Sequence, residues 1–107
     1  MNIWLKPIEL EDGQEYCDLL IELARYQDVF AKPVPSDFEP EEFPGFKETR
    51  IKMSLSSMRP GIPQTNTYWV MDDISPIGYA TLKHEVDLSK PGGHFGCCLK
   101  KDYQNKG

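Results

Sequence analysis

The residues best suited to chemistry cluster near the end of the chain, where Lys100, Lys101, Gln104, Asn105, Lys106 and Gly107 follow the apolar run 93–99. Binding a phosphate by backbone needs several N–H groups converging on one point. A glycine-containing turn that opens into a helix supplies them, together with the positive end of the helix dipole. Gly107 admits close backbone approach, the Gln104 amide can brace the turn, and Lys106 with Lys100 and Lys101 adds positive charge beside a polyanion. Taken alone, Gln-x-x-Gly equally describes any lysine-rich polar turn that ends in glycine. For moving a proton near neutral pH, His94, Glu85 and His84 are the groups at hand, with His94 nearest the turn. A histidine beside two glycines at a strand start is equally at home as a surface or hydrogen-bonded residue.

The pattern Gln104-x-x-Gly107, preceded by a short apolar strand and a polar turn, resembles the first half of the Gln/Arg-x-x-Gly-x-Gly/Ala signature of the GNAT superfamily of N-acetyltransferases. Residues 75–84 resemble the third strand of these enzymes and 93–99 the fourth, with Lys-Lys-Asp-Tyr where relatives often carry a turn of the Pro-Glu-Tyr type. Residues 3–12 resemble the first strand and the acidic approach to the first helix. The likeness is strongest over 76–107.

The resemblance implies an α/β (α+β) fold with a mainly antiparallel sheet of about four strands and two N-terminal helices. It implies acetyl-CoA as cosubstrate, no metal, and direct attack by a primary amine of a small molecule or peptide. Main-chain groups of Cys97 and Leu99 would pair with the pantetheine arm like an added strand. Gln104, Asn105, Lys106 and Gly107 would seat the pyrophosphate, and His94 would relay the amine's proton. It also implies that residues 1–107 are a partial domain, with the rest of the signature and of the fold beyond Gly107, and that this chain alone turns over little. An exposed strand edge supports a different reading, a non-enzymatic module that dimerises by pairing that edge with a second copy. An unrelated ligand-binding domain with an accidental closing glycine is a third.

Composition bounds these readings. With 107 residues, 39% apolar, the chain makes one small domain with a thin core. A net charge of −5 argues against nucleic-acid backbones and anionic membranes as partners. No apolar run approaches the ~20 residues of a membrane helix, and no signal-peptide core opens the sequence, so a cytoplasmic location is expected. Three cysteines, Cys17, Cys97 and Cys98, suit neither a disulfide framework nor a zinc site, and are expected as small buried hydrophobes.

The elements that would position the site follow from periodicity. Residues 2–10 alternate as an edge strand with Pro7 near its end, and Glu11-Asp12 offers an N-cap. Over 13–27, Tyr16, Leu19, Leu20 and Leu23 recur at helical spacing. Residues 28–44, rich in proline and acid, read as a connecting loop; the resemblance implies that this region helps form the acceptor site, where Phe30, Phe38, Phe43, Asp37, Glu39, Glu41 and Glu42 could shape an amine pocket. Pro44 suits a helix first turn, and 46–58 reads as that helix. Residues 65–71, 77–84 and 93–99 read as an antiparallel meander, with Tyr68 and Tyr79 as core and sheet-face aromatics.

Overall fold

A computed structural model describes residues 2–26, 33–55, 64–84 and 94–104. These residues form strand β1 (Ile3–Pro7), helix α1 (Gln14–Ala24), helix α2 (Phe43–Leu55) and strands β2 (Thr65–Asp72), β3 (Ser75–Lys83) and β4 (His94–Leu99). Short 3₁₀ turns at Pro40–Glu42 and Lys101–Tyr103 precede α2 and follow β4. The fold is mixed α+β, with one antiparallel sheet of four strands in the order β1-β2-β3-β4.

The alternation of side chains along each strand gives the sheet two distinct faces. Register places Trp69, Tyr79 and Cys98 side by side beneath the helices. Leu19, Leu20 and Leu23 of α1 and Phe43 of α2 complete that core. Around the fully buried Trp69 ring lie Tyr16, Phe43 and Tyr79, at centroid distances of 5.1, 6.5 and 6.1 Å. On the opposite face Val70, Ile77 and Ala80 are buried, with Tyr68, Leu99 and Tyr103 against them. Ile3 and Leu5 of β1 and Phe95 of β4, which share this second face by register, remain exposed.

A buried polar knot joins the approach to α1 and helix α2 to the sheet. Asp12 is 95% buried by side chain and backbone together, its residue exposure being only 5%. Its Oδ2 accepts from Trp69 Nε1 and the Glu9 N–H, each at 2.8 Å, and its Oδ1 from Lys6 Nζ at 2.6 Å. Lys47, itself buried, donates from Nζ to the carbonyls of Leu10 and Asp12 at 2.6 and 2.8 Å and lies 4.6 Å from the Phe43 ring centroid. Every strong polar group here therefore has partners, which makes the burial of a carboxylate and an ammonium tolerable.

This knot corrects one expectation. Asp12 does not cap α1; Gly13 holds the N-cap position without a side-chain bond. The carboxylate is drawn instead to the indole N–H and the lysine, a stronger and more deeply buried set than one exposed helix amide. The expected loop 28–44 also ends early, because Glu39 and Glu42 exchange hydrogen bonds as a capping box that starts the 3₁₀ turn, and α2 follows from Phe43. Pro44 lies in the first turn of α2 as expected, and Leu55 at the end of the helix is exposed. Cys17 and Cys98 are buried but Cys97 is exposed, since neighbours on a strand face opposite ways. Residues 28–32 with Phe30, and 56–58, lie outside the described residues.

The knot predicts a large stability loss on truncation. Asp12→Ala leaves the Trp69 N–H buried without an acceptor and Lys6 without its closest carboxylate, and should cost about 2–4 kcal/mol. Urea denaturation followed by tryptophan fluorescence checks it, and a shift below about 1 kcal/mol would contradict the assigned role.

Candidate functional site

β4 ends the sheet, so one of its edges carries no strand among the described residues. The direction of each backbone group on that edge follows from a single bond. Lys100 N–H donates to the Ile77 carbonyl at 2.9 Å, one step beyond the Gly78↔Leu99 pair. Antiparallel pairs alternate between bonded and non-bonded, so His94, Gly96 and Cys98 turn their N–H and C=O toward β3. Phe95, Cys97 and Leu99 turn theirs outward. The two residues expected on the outward row, Cys97 and Leu99, thus sit on it, and Phe95 extends it.

Close packing against β3 holds this row in place. A Cβ added at Gly78 would lie 2.5 Å from Leu99 Cδ2, 2.7 Å from the Cys98 carbonyl oxygen and 3.3 Å from Val70 Cβ. Only glycine lets the β4 backbone and the Leu99 side chain come this near. A β-bulge at Val70/Met71, where Met71 pairs with Pro76, places the proline where the ladder is already interrupted. Turn residue Asp73 takes a positive φ of 52° and is held there, its N–H donating to the Asn2 carbonyl and its own carbonyl accepting from Trp4 Nε1.

Beyond Leu99 the chain makes a tight, well-anchored turn. Tyr103 N–H donates to the Lys100 carbonyl at 2.9 Å and Gln104 N–H to that of Lys101 at 3.2 Å. Gln104 Nε2 reaches back to the Leu99 carbonyl at 2.9 Å, and the Tyr103 hydroxyl donates to Asp72 Oδ2 at 2.9 Å. From α1, the Tyr26 hydroxyl accepts from Lys101 N–H at 3.1 Å while donating to Glu22 Oε2 at 2.6 Å. Lys101 Nζ lies 5.3 Å from the Tyr26 ring centroid. Gln104 therefore braces the turn, and in doing so occupies the outward carbonyl of Leu99. The Leu99 N–H and both groups of Cys97 have no partner among the described residues.

The ionisation states suit a neutral, non-nucleophilic edge. Cys97 is exposed as a residue, yet partial burial of its sulfur pushes the thiol above its ordinary value, so it stays protonated at pH 7. Tyr26 is pushed up to about 12, first by burial and then by its bond to Glu22. Tyr103 is raised chiefly by its hydrogen bond to Asp72.

Of the other expected site residues, His94 pairs with Lys83 in the ladder, while its side chain and residues Asn105, Lys106 and Gly107 lie outside the described residues. Glu85 lies outside them as well. His84 is engaged elsewhere, its Nε2 2.9 Å from Asn66 Oδ1. Phe38 and Phe43 pack against Phe46, and Phe38 and Glu42 line one groove beside α2, whereas Asp37, Glu39 and Glu41 do not line it. The Tyr26 contact was missed by sequence reasoning, because Tyr26 and Lys101 are 75 positions apart and no local pattern links them. Among the described residues no group of three His, Cys, Asp or Glu side chains could hold a metal, and no helix is long and apolar enough to cross a membrane. No family model, curated protein or solved structure matches the chain.

Two outcomes test this arrangement. Gly78→Ala should destabilise the protein by about 1–3 kcal/mol through forced separation of β3 and β4. Chemical denaturation measures it; an unchanged midpoint would show that the strands are looser than described. The raised Tyr26 also has a pH signature. Its protonated form is favoured by folding, so its stabilisation is complete below 10.0, the ordinary tyrosine value, and is lost as pH rises toward about 12. Thermal midpoints across that window should fall, and Tyr26→Phe should flatten the fall.

Proposed function

We propose that this chain carries the coenzyme-pairing part of a GNAT-type N-acetyltransferase, which moves an acetyl group from acetyl-CoA to a primary amine. The observation that carries this reading is the outward row of β4, which leads directly into a braced turn ending at Gln104. The order of elements, a strand, two helices and a three-strand meander, agrees with the order the resemblance implies.

In this reading the pantetheine amides pair with Cys97 and the Leu99 N–H as an added strand, using main chain only. The amine nitrogen attacks the thioester carbonyl, the carbon–sulfur bond breaks, and coenzyme A leaves as the thiol after a proton passes from the amine. No covalent intermediate on the protein is needed, in keeping with the protonated Cys97. Outward N–H groups are suited to an oxyanion that develops during attack, since they are fixed before the reaction begins. His94 is the proton relay in this proposal. Gln104, Asn105, Lys106 and Gly107 are the pyrophosphate seat.

A second reading is favoured by one observation, the 61% exposure of Phe95 beside the unpaired edge. An apolar residue on an open strand suits pairing with a second copy of the chain, and the protein would then act as an interaction module.

Titrating coenzyme A into the ¹⁵N-labelled protein separates the two. The enzyme reading expects saturable shifts at the Cys97 and Leu99 amides, with smaller changes at Gly96 and Cys98. No saturable shift at millimolar coenzyme A, together with a concentration-dependent dimer in sedimentation, would replace it with the module.

A further inference from the structure

One face of α2 lines a groove that lies apart from the β4 edge. Glu42, Gly45, Phe46, Thr49, Arg50 and Met53 recur at three- and four-residue steps, so they form one stripe along the helix. Opposite the stripe run Pro33, Val34, Pro35 and Phe38, and the two walls enclose an open groove of about 360 Å³. That volume is at the small end for ligand sites and suits a molecule of aromatic amino-acid size. Phe38 meets Phe46 edge-on at 6.1 Å, and Val34 is buried, so the apolar wall is already packed in the free protein.

Arg50 is the groove's cation. Its guanidinium carbon stands 5.4 Å from the Phe46 centroid and 5.9 Å from that of Tyr79, a position between two rings that restrains a long side chain. Lys6 and Lys100 both have carboxylates within ion-pair distance, whereas Arg50 has none among the described residues. The groove's own acid, Glu42, is engaged at the far end of the stripe, where its Oε1 accepts from the Glu39 N–H at 3.1 Å. A stacked guanidinium with no counter-ion among the described residues, flanked by aromatic walls, presents a planar pair of donors to a planar anion.

We infer that this groove binds a small monocarboxylate with an aromatic or branched aliphatic body, its carboxylate on Arg50 and its body between Phe38, Phe46 and Met53. A single positive charge matches one carboxylate better than a phosphate dianion, and the apolar walls require the rest of the ligand to be apolar. The inference rests on the groove alone and holds whichever reading of β4 is correct.

A matched pair of probes tests it on the intact protein. 3-Phenylpropionate should shift the amides of Phe46, Arg50 and Met53 saturably, and 3-phenylpropionamide, of equal size but uncharged, should bind about tenfold more weakly. Arg50→Gln should bring the acid down to the amide's affinity while leaving chemical-shift dispersion elsewhere unchanged. Inorganic phosphate should leave these amides unmoved. Equal binding of acid and amide to the unmodified protein would overturn the inference even where the variant fails to fold, as would wild-type affinity for the acid in a folded Arg50→Gln protein.

Discussion

The structure depends on the buried carboxylate of Asp12. Through its carboxylate and its main-chain carbonyl, Asp12 is the point at which the end of β1, the approach to α1, the first half of α2 and the inner strand β2 meet, by way of Lys6, Glu9, Lys47 and Trp69. A charge in this position is tolerable only when it is well hydrogen-bonded, and here a lysine, an amide and an indole supply three donors. The arrangement also sets direction. Trp69 can be fully buried with its N–H satisfied only if Asp12 points inward, and an inward Asp12 fixes where α1 begins. Lys47, held by the two carbonyls of the same turn, then fixes α2 above β2.

From that anchor the rest of the sheet is placed by close approach. Tyr79 rests against Trp69, and its neighbour Gly78 admits the Leu99 side chain and the Cys98 carbonyl, so β4 is drawn tight against β3. Tyr26 and Tyr103 fasten the turn after β4 from the two faces of the sheet, one to α1 and the other to Asp72. An outward-facing row of amides is thus held rigidly by contacts that lie behind it. Rigid placement of donors before a ligand arrives is what makes such an edge useful for binding, because little ordering entropy is lost on association.

The two surfaces with functional potential differ in kind. The β4 edge offers main-chain groups and is indifferent to side-chain identity at Cys97 and Leu99. The groove along α2 depends on side chains, above all on a guanidinium stacked between rings. Both border Tyr79, which pairs with Cys98 in the ladder and has the Arg50 guanidinium over its ring.

The sequence by itself determined the elements: a run rich in Thr, Tyr, Trp and Val made β2 legible, and the spacing of Tyr16, Leu19, Leu20 and Leu23 made α1 legible. These are properties of neighbouring residues, and local composition and period carry them. Only the tertiary structure decided that Asp12 leaves its helix for an indole 57 positions away, that Tyr26 meets Lys101, and that Arg50 stands over Tyr79. Each of those depends on which buried polar or aromatic group lies nearest once the chain has collapsed, and that distance is set by the packing of the sheet against the helices, not by any local pattern.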